Sequence, residues 1–214
     1  MIAWSYSRLT DFEECAYRFK LKYIDKNPEE ENPAATRGTA IHSDYEAYMK
    51  EPGRECPSSF FQPQLDHIKT NYSWSSETNW AFDANWFPSD WYNKNTWLRI
   101  KPDLIYVDSP TLHIIDYKTG KERRIKHTTQ GQLYAIGGAL LYPNTEIIRV
   151  EFWYHDHQVI FDFSISRKQI ELLKTQWTQR AEKLETSNFR PAPSKWNCKY
   201  CGVKQHCEFS HEPS

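Results

Sequence analysis

Glycine is scarce in this chain, with 7 among 214 residues, and methionine is scarcer at 2. With hydrophobic residues at 39% and aromatics at 15%, that composition belongs to a folded globular protein and excludes fibrous and disordered classes. An excess of one charge is missing too. The formal net charge is -1, so any basic footprint for a polyanion has to be local. No apolar run approaches the length of a membrane span, so no membrane partner is expected. The opening residues, Met1-Ile2-Ala3-Trp4-Ser5-Tyr6-Ser7-Arg8, lack a basic stretch followed by an apolar core. A cytoplasmic protein is therefore expected, in the host cytoplasm if the source is viral. In that setting five cysteines favour metal ligation or thiols over disulfides. The length suits one domain with its own core.

What is present centres on Leu112-His113-Ile114-Ile115-Asp116-Tyr117-Lys118-Thr119-Gly120, a short buried strand ending in an acid and a base. Alternation puts Ile114, Asp116 and Lys118 on one face and Ile115 and Tyr117 on the other. An Asp and a Lys on an apolar strand are expensive to bury without a partner or a task. A second strand-like run, Trp97 to Val107, carries Asp103. If the two runs are neighbours, Asp103 and Asp116 converge on one hard divalent cation with Lys118 beside it, an arrangement suited to phosphodiester hydrolysis.

Around that centre, apolar positions predict a helix from Ser7, as N-cap, to about Ile24, with Cys15 near its apolar face and Arg18, Lys20 and Lys22 solvated or near phosphates. Taken alone, Cys15 reads as a buried core thiol. Lys26 to Pro33 reads as a loop. A helix from near Arg37-Gly38 to Met49 puts Gly38, His42 and Glu46 on one stripe, and on that evidence His42 is an ordinary helix histidine. Residues 51–59 are a break holding Cys56, and a third helix is expected from Phe61 to Tyr72. The nine aromatics between Tyr72 and Trp97 favour packing over base stacking, because Glu77, Asp83 and Asp90 outnumber Lys94.

Downstream, Lys121, Arg123, Arg124 and Lys126 oppose a single acid, Glu122. The run reads equally as a wet loop or as a phosphate guide. A helix from Thr128 to Tyr142 places Gln130 and Tyr134 one turn apart on one face. Strands are expected at 146–154 and 158–163, with His155-Asp156-His157 as the hairpin turn rather than a metal site. Arg167 to about Ser187 is a further amphipathic helix. The tail carries Cys198-x-x-Cys201-x5-Cys207, three corners of a tetrahedral site. His206 as the fourth ligand would make a zinc site. Cys15 in that role would make an all-thiolate zinc site or an iron–sulfur cluster, and spacing does not separate the two.

The chain resembles the PD-(D/E)XK nucleases of the RecB type, and especially their iron–sulfur branch, which includes CRISPR-associated RecB-like, AddB-type and phage exonucleases. The resemblance is carried by Ser5-Tyr6-Ser7-Arg8-Leu9 with Cys15, Arg37-Gly38-Thr39-Ala40-Ile41-His42, Pro102-Asp103, Ile114 to Gly120, Gln130-x-x-x-Tyr134 and the three C-terminal cysteines, in the family's order over nearly the whole chain. It implies an α/β, restriction-endonuclease-like fold over residues 1–214: a mixed central sheet flanked by helices. Residues 1–25 and 188–210 would be joined by the metal cluster, with 51–97 an aromatic-rich insertion. It implies that His42, Asp103, Asp116 and the backbone carbonyl of Tyr117 hold the catalytic metal. Lys118 would be the catalytic lysine, supported by Gln130 and Tyr134, and Cys15, Cys198, Cys201 and Cys207 would surround a 4Fe-4S cluster. Lys101 departs from the glycine that relatives often have, and the Tyr72 to Trp97 stretch has no counterpart in the family pattern.

The expected activity is a Mg²⁺- or Mn²⁺-dependent DNA exonuclease acting on single-stranded ends. Its rivals are a non-cleaving DNA-binding adaptor of the same fold and a zinc-stapled endonuclease.

Overall fold

The N-terminal run that reads as one helix is broken at the cysteine it contains. In the structure, a computed structural model that describes residues 2–210, α1 (Tyr6–Glu14) ends at Cys15, whose backbone is extended at φ -159°, ψ 104°. The chain then resumes as α2 (Ala16–Phe19) and one π-helical turn, Lys20–Ile24. The N-cap is Ser5, not Ser7: its side chain accepts the Arg8 N–H at 3.4 Å, filling one of the donors a helix start leaves orphaned. The expected solvated face is also corrected. Arg18 is buried, 3.0 Å from Asp11 and 2.6 Å from Glu14. Lys22 lies 2.7 Å from Asp11 and 2.9 Å from Glu29. Both are committed to internal ion pairs.

The described residues fall into two compact units, one of residues 2–33 with 176–210 and the other of residues 34–175. The second is built on a five-stranded mixed sheet of order β1-β4-β5-β6-β7: β1 (Trp74–Ser76), β4 (Leu104–Asp108), β5 (Thr111–Lys118), β6 (Ile147–Tyr154) and β7 (Val159–Ser166). Only β5 and β6 are parallel. A parallel neighbour needs a crossover, supplied by α5 (Arg124–Leu141). The Trp97 to Val107 run is two strands rather than one: β3 (Leu98–Ile100) pairs with β2 (Trp80–Phe82) in a separate two-stranded sheet, and β4 pairs with β5. Pro102 and Asp103 occupy the break, since proline cannot donate to a ladder.

The faces alternate as the β5 sequence requires. On one, Ile115 and Tyr117 join Tyr45, Met49, Phe61, Leu65 and Trp153 in a buried cluster under α3 (Pro33–Lys50) and α4 (Gln62–Asn71). α3 begins earlier than the expected 37, because a proline is well placed at the first helical position, where its missing N–H has no partner to lose. On the other face, α5 lies close to the sheet through glycine. A Cβ on Gly138 would come within 2.6 Å of Leu112 Cδ2, and one on Gly131 within 2.6 Å of Phe163 Cζ. α5 also starts earlier than the expected 128, so the basic run is half loop and half first helical turn. The aromatic stretch mainly packs: Trp80, Phe82, Trp86 and Trp97 are buried, while Phe87 and Tyr92 are exposed.

The first unit is completed by the second half of α6 (Ile170–Glu185) and by α7 (Lys195–Lys199). Trp177 stacks on Trp4 at 6.1 Å, and Arg180 grips Glu13 through two nitrogens at 2.9 and 2.7 Å. No helix among the described residues is long and apolar enough to cross a membrane.

Candidate active site

Strand β5 ends with Asp116 and Lys118 on the α5 side of the sheet. Asp116 is 2% exposed, and its two oxygens are treated differently. Oδ2 accepts hydrogen bonds from the Tyr134 hydroxyl at 2.5 Å and from Gln130 Nε2 at 3.1 Å, and Gln130 also donates to the Tyr134 oxygen at 2.8 Å. The two α5 residues share a face because they are four apart. Oδ1 is buried with no aligned hydrogen bond, although the Lys118 ammonium lies 2.6 Å away as an ion pair. A buried carboxylate oxygen served only by charge is a place for a cation.

Asp103, in the break before β4, approaches from the neighbouring strand. Its Oδ2 accepts the Tyr117 backbone N–H at 2.7 Å, and its Oδ1 lies 3.1 Å from His42 Nδ1 on α3. Burial and the nearby Asp116 push the Asp103 carboxyl up to about 6. Burial works against a charged His42, but Asp103 and Asp116 outweigh it and raise the imidazole above its usual value. Two acids and a histidine thus sit where like charges are held together at a cost. Burial, with Asp116 next, holds Tyr134 well above the usual phenol range, so it stays a donor.

The sequence did not single out Glu77. Its carboxylate, with His42 and Asp103, offers three potential ligand atoms within 4.8 Å of one another. It arrives by register: β1 pairs with β4 as Ser76↔Leu104, so the next residue faces Asp103, and Glu77 N–H donates to Asp103 O at 2.9 Å. Glu77 holds φ at 52°, uncommon for a side-chain-bearing residue and worth a functional question. Lys101 forms an ion pair with Glu77 and is held in its charged form by that bond. An open cavity beside the trio is lined by Gly38, Thr39, Ser43, Glu46 and Lys101. Gly38 is needed here: a Cβ would come within 3.3 Å of Thr119 Oγ1, so glycine lets α3 close on the loop after Lys118. Hard oxygen donors with one imidazole, beside a buried carboxylate oxygen lacking a hydrogen bond, fit a hard divalent cation.

The other expected site residues are placed as follows. The Tyr117 ring turns to the opposite face and stacks on Tyr45 at 4.0 Å. Lys121, Arg123 and Arg124 are exposed and Lys126 is half-buried. Arg124 is engaged with Glu122 at 2.9 Å and lies over the Phe161 ring. His155-Asp156-His157 is a turn, and Asp156 accepts Arg37 at 2.6 and 3.0 Å and Gly120 N–H at 2.7 Å.

In the first unit, Cys15, Cys198, Cys201 and Cys207 line one cavity together with Arg18, and all five cysteines are thiols. The extended backbone at Cys15 turns its sulfur out of the helix line, where it accepts the Ala192 N–H at 3.5 Å. Asn197 Nδ2 ties α7 to the end of α1 through Glu14 O and Ala192 O, both at 3.1 Å. Burial raises the thiols of Cys201 and Cys207, and Cys15 raises each of them further. The expectation of Cys15 as an ordinary core thiol is corrected: it is half-buried and faces the other three. His206 is exposed and is not among the residues lining that cavity. A cavity walled by four thiols fits a soft, cationic metal group.

Comparison with known proteins follows this geometry. The family model of the PD-(D/E)XK nuclease superfamily matches residues 3–208. Among solved structures, a protein from Eubacterium rectale described as a candidate exonuclease superposes with a TM-score of 0.56 at 12% identity, covering 99% of this chain and 90% of its own. The protein SSO0001 superposes with a TM-score of 0.50 at 16% identity, covering 99% of this chain and 89% of its own. No curated protein matches the chain.

Proposed function

Since the chain belongs to the PD-(D/E)XK nuclease superfamily, we propose that it is a Mg²⁺- or Mn²⁺-dependent deoxyribonuclease of the RecB-like iron–sulfur branch, acting as an exonuclease on single-stranded ends. The observation that carries the catalytic part is the meeting of His42, Asp103, Asp116 and Lys118 at one end of β5. A module that only binds DNA has no use for two acids buried within electrostatic reach of each other.

His42, Asp103 and Asp116 would hold the cation, with the Tyr117 carbonyl, and the trio's geometry adds Glu77 to that set. When bound, the cation supplies Lewis acidity toward the scissile phosphate and the attacking water. Every other part comes from the chain. Tyr134 and Gln130 fix Asp116 Oδ2, leaving Oδ1 to face charge. Lys118 brings a positive group to the phosphate, where it offsets developing charge and orients the attacking water. Lys101, tethered by Glu77, adds a second cation at the open cavity. Lys121, Arg123 and Lys126 guide the phosphate backbone toward the site. The exonuclease and single-strand parts draw on the family resemblance and on the name of the Eubacterium rectale neighbour.

For the cysteine cavity the favoured group is a 4Fe-4S cluster held by Cys15, Cys198, Cys201 and Cys207. All four thiols line one cavity and His206 does not, which favours an all-thiolate set over one with an imidazole; the preference for the cluster over zinc draws on the family resemblance. A brown preparation that bleaches on reduction supports the cluster, and a colourless protein with stoichiometric zinc rejects it.

The decisive experiment is degradation of end-labelled single-stranded DNA with Mn²⁺, against an EDTA control, for the wild type and for Asp116→Ala and Lys118→Ala. Activity confined to the metal-containing wild type supports the reading. Full activity in either variant, or none in the wild type, defeats it.

A further inference from the structure

From Arg190 to Cys207 the chain carries Arg190, Lys195, Lys199 and Lys204 and no acid, in a protein whose net charge is -1. Within this run α7 is two-faced. Asn197 and Cys198 turn inward, to the α1 end and the thiol cavity. Lys195, Trp196, Lys199 and Tyr200 turn outward as two pairs four residues apart, which places each pair on one stripe. Trp196 is 71% exposed and Tyr200 62%, their rings 5.0 Å apart and inclined at 68°. The Lys199 ammonium lies 5.4 Å from the Tyr200 ring centre.

Tryptophan left this open is unusual, since such side chains carry much of a domain's burial energy. The other well-exposed rings differ in setting: Phe87 and Tyr92 lie among Asp83 and Asp90, where a phosphate backbone would be repelled. Among the described residues, the α7 face is where rings this open meet lysines with no ion pair. Rings stack on bases of any sequence when those bases are unpaired, and lysines at their side meet the phosphates between them. A duplex hides its base faces, and a protein partner would have no call for the absence of acids.

We propose that the outward face of α7, Lys195, Trp196, Lys199 and Tyr200, is a docking surface for single-stranded nucleic acid, with Trp196 and Tyr200 as the stacking platform. It rests on the nuclease reading for the identity of the strand, but binding is measured where no cutting occurs. The probe is a fluorescein-labelled oligothymidylate of about 20 nucleotides, titrated with the full chain in EDTA and followed by anisotropy, with an unlabelled duplex as competitor.

Trp196→Ala/Tyr200→Ala is expected to weaken binding at least about tenfold, and Trp196→Phe to keep most of it. Lys195→Ala/Lys199→Ala is expected to lower the slope of log affinity against log salt by about 1.4. The duplex is expected to compete poorly. Unchanged melting temperatures keep these losses from being read as misfolding, which the exposure of all four side chains already opposes. Binding that the aromatic pair does not affect, or no binding by the wild type, overturns the proposal and leaves the face to a protein partner. Trp196-dependent binding without Mn²⁺-dependent cutting leaves this surface standing and sinks the nuclease reading. Cutting with unaltered binding in the variants does the reverse.

Discussion

The Tyr134 hydroxyl sits 2.5 Å from Asp116 Oδ2, and Gln130, one helical turn away, reaches the same oxygen at 3.1 Å. A buried carboxylate that is bonded on one oxygen only is fixed in rotation, so its second oxygen points where the helix dictates. Hydrogen bonds to charged groups contribute about 1.5–3 kcal/mol. Tyr134→Phe is therefore expected to lower kcat about 10- to 100-fold with little change in KM, because Gln130 still holds Asp116 loosely. Steady-state kinetics on labelled DNA checks this; a pure KM effect would place Tyr134 in substrate binding instead.

Lys118 and Asp116 answer each other as a largely buried pair, with side chains 18% and 2% exposed. Lys118→Met should cost about 100-fold or more in rate, on the scale of a lost transition-state donor. In EDTA it should also destabilise the fold by about 3 kcal/mol, the scale for breaking a buried pair from one side. Mn²⁺ should return part of that stability, by replacing the missing positive charge. Thermal melts with and without Mn²⁺ read the difference; equal destabilisation in both would remove Asp116 from the metal set.

His127 and Asp103 contribute to acid stability with opposite signs. Burial, with Lys118 next, lowers His127 to about 4, so below the ordinary histidine value of about 6.5 the unfolded chain takes up a proton that the folded one refuses. Its contribution is full above 6.5 and is lost as pH falls toward 4, on the order of 2–3 kcal/mol. Asp103, raised to about 6, works the other way: between its ordinary value and about 6 the folded chain holds the extra proton, so stability rises on acidification. In the metal-free wild type these two contributions offset each other between pH 6.5 and 4. His127→Gln should gain stability relative to it as pH falls through that window. Urea midpoints at several pH values decide; parallel profiles would contradict the assignment.

Gly138 tests how the site is supported from behind. An added methyl comes within 2.6 Å of Leu112 Cδ2 and 3.0 Å of Ile114 Cδ1, both on the strand that carries Asp116. Overpacking costs about 1–3 kcal/mol, partly offset by alanine's better helix propensity of about 1 kcal/mol. Gly138→Ala should lower stability by about 0–2 kcal/mol and reduce kcat without touching a site residue, by lifting α5 and its two donors away from Asp116. Unaltered kcat in a destabilised variant would show that α5 tolerates the shift.

Much of this was legible because single side chains carry strong local signals. The alternation in Ile114-Ile115-Asp116-Tyr117 assigned both faces of β5 correctly, and the four-residue interval placed Gln130 with Tyr134. The turn at His155-Asp156-His157 held because strands flank it on both sides. Glu77 was invisible: it depends on which strand pairs with β4 and in what register, a long-range choice that local pattern does not encode. The break at Cys15 was equally hidden, since the apolar spacing of Phe12, Ala16 and Phe19 continues through it. Arg18 and Lys22 looked like surface charges because Asp11 and Glu29 meet them only on folding; Glu14, four residues before Arg18, is the one partner that spacing offers.

The thiol cavity draws one wall from Cys15, Arg18 and Leu21 and the rest from residues beyond 190, while residues 34–175 form a unit of contiguous chain. During synthesis the contiguous part can settle first, whereas the cavity has no existence until the final cysteine has left the ribosome. Closure of the cavity then reports that synthesis has passed Cys207. A product released before that point would keep Asp103, Asp116 and Lys118 but would have nothing to close over Cys15.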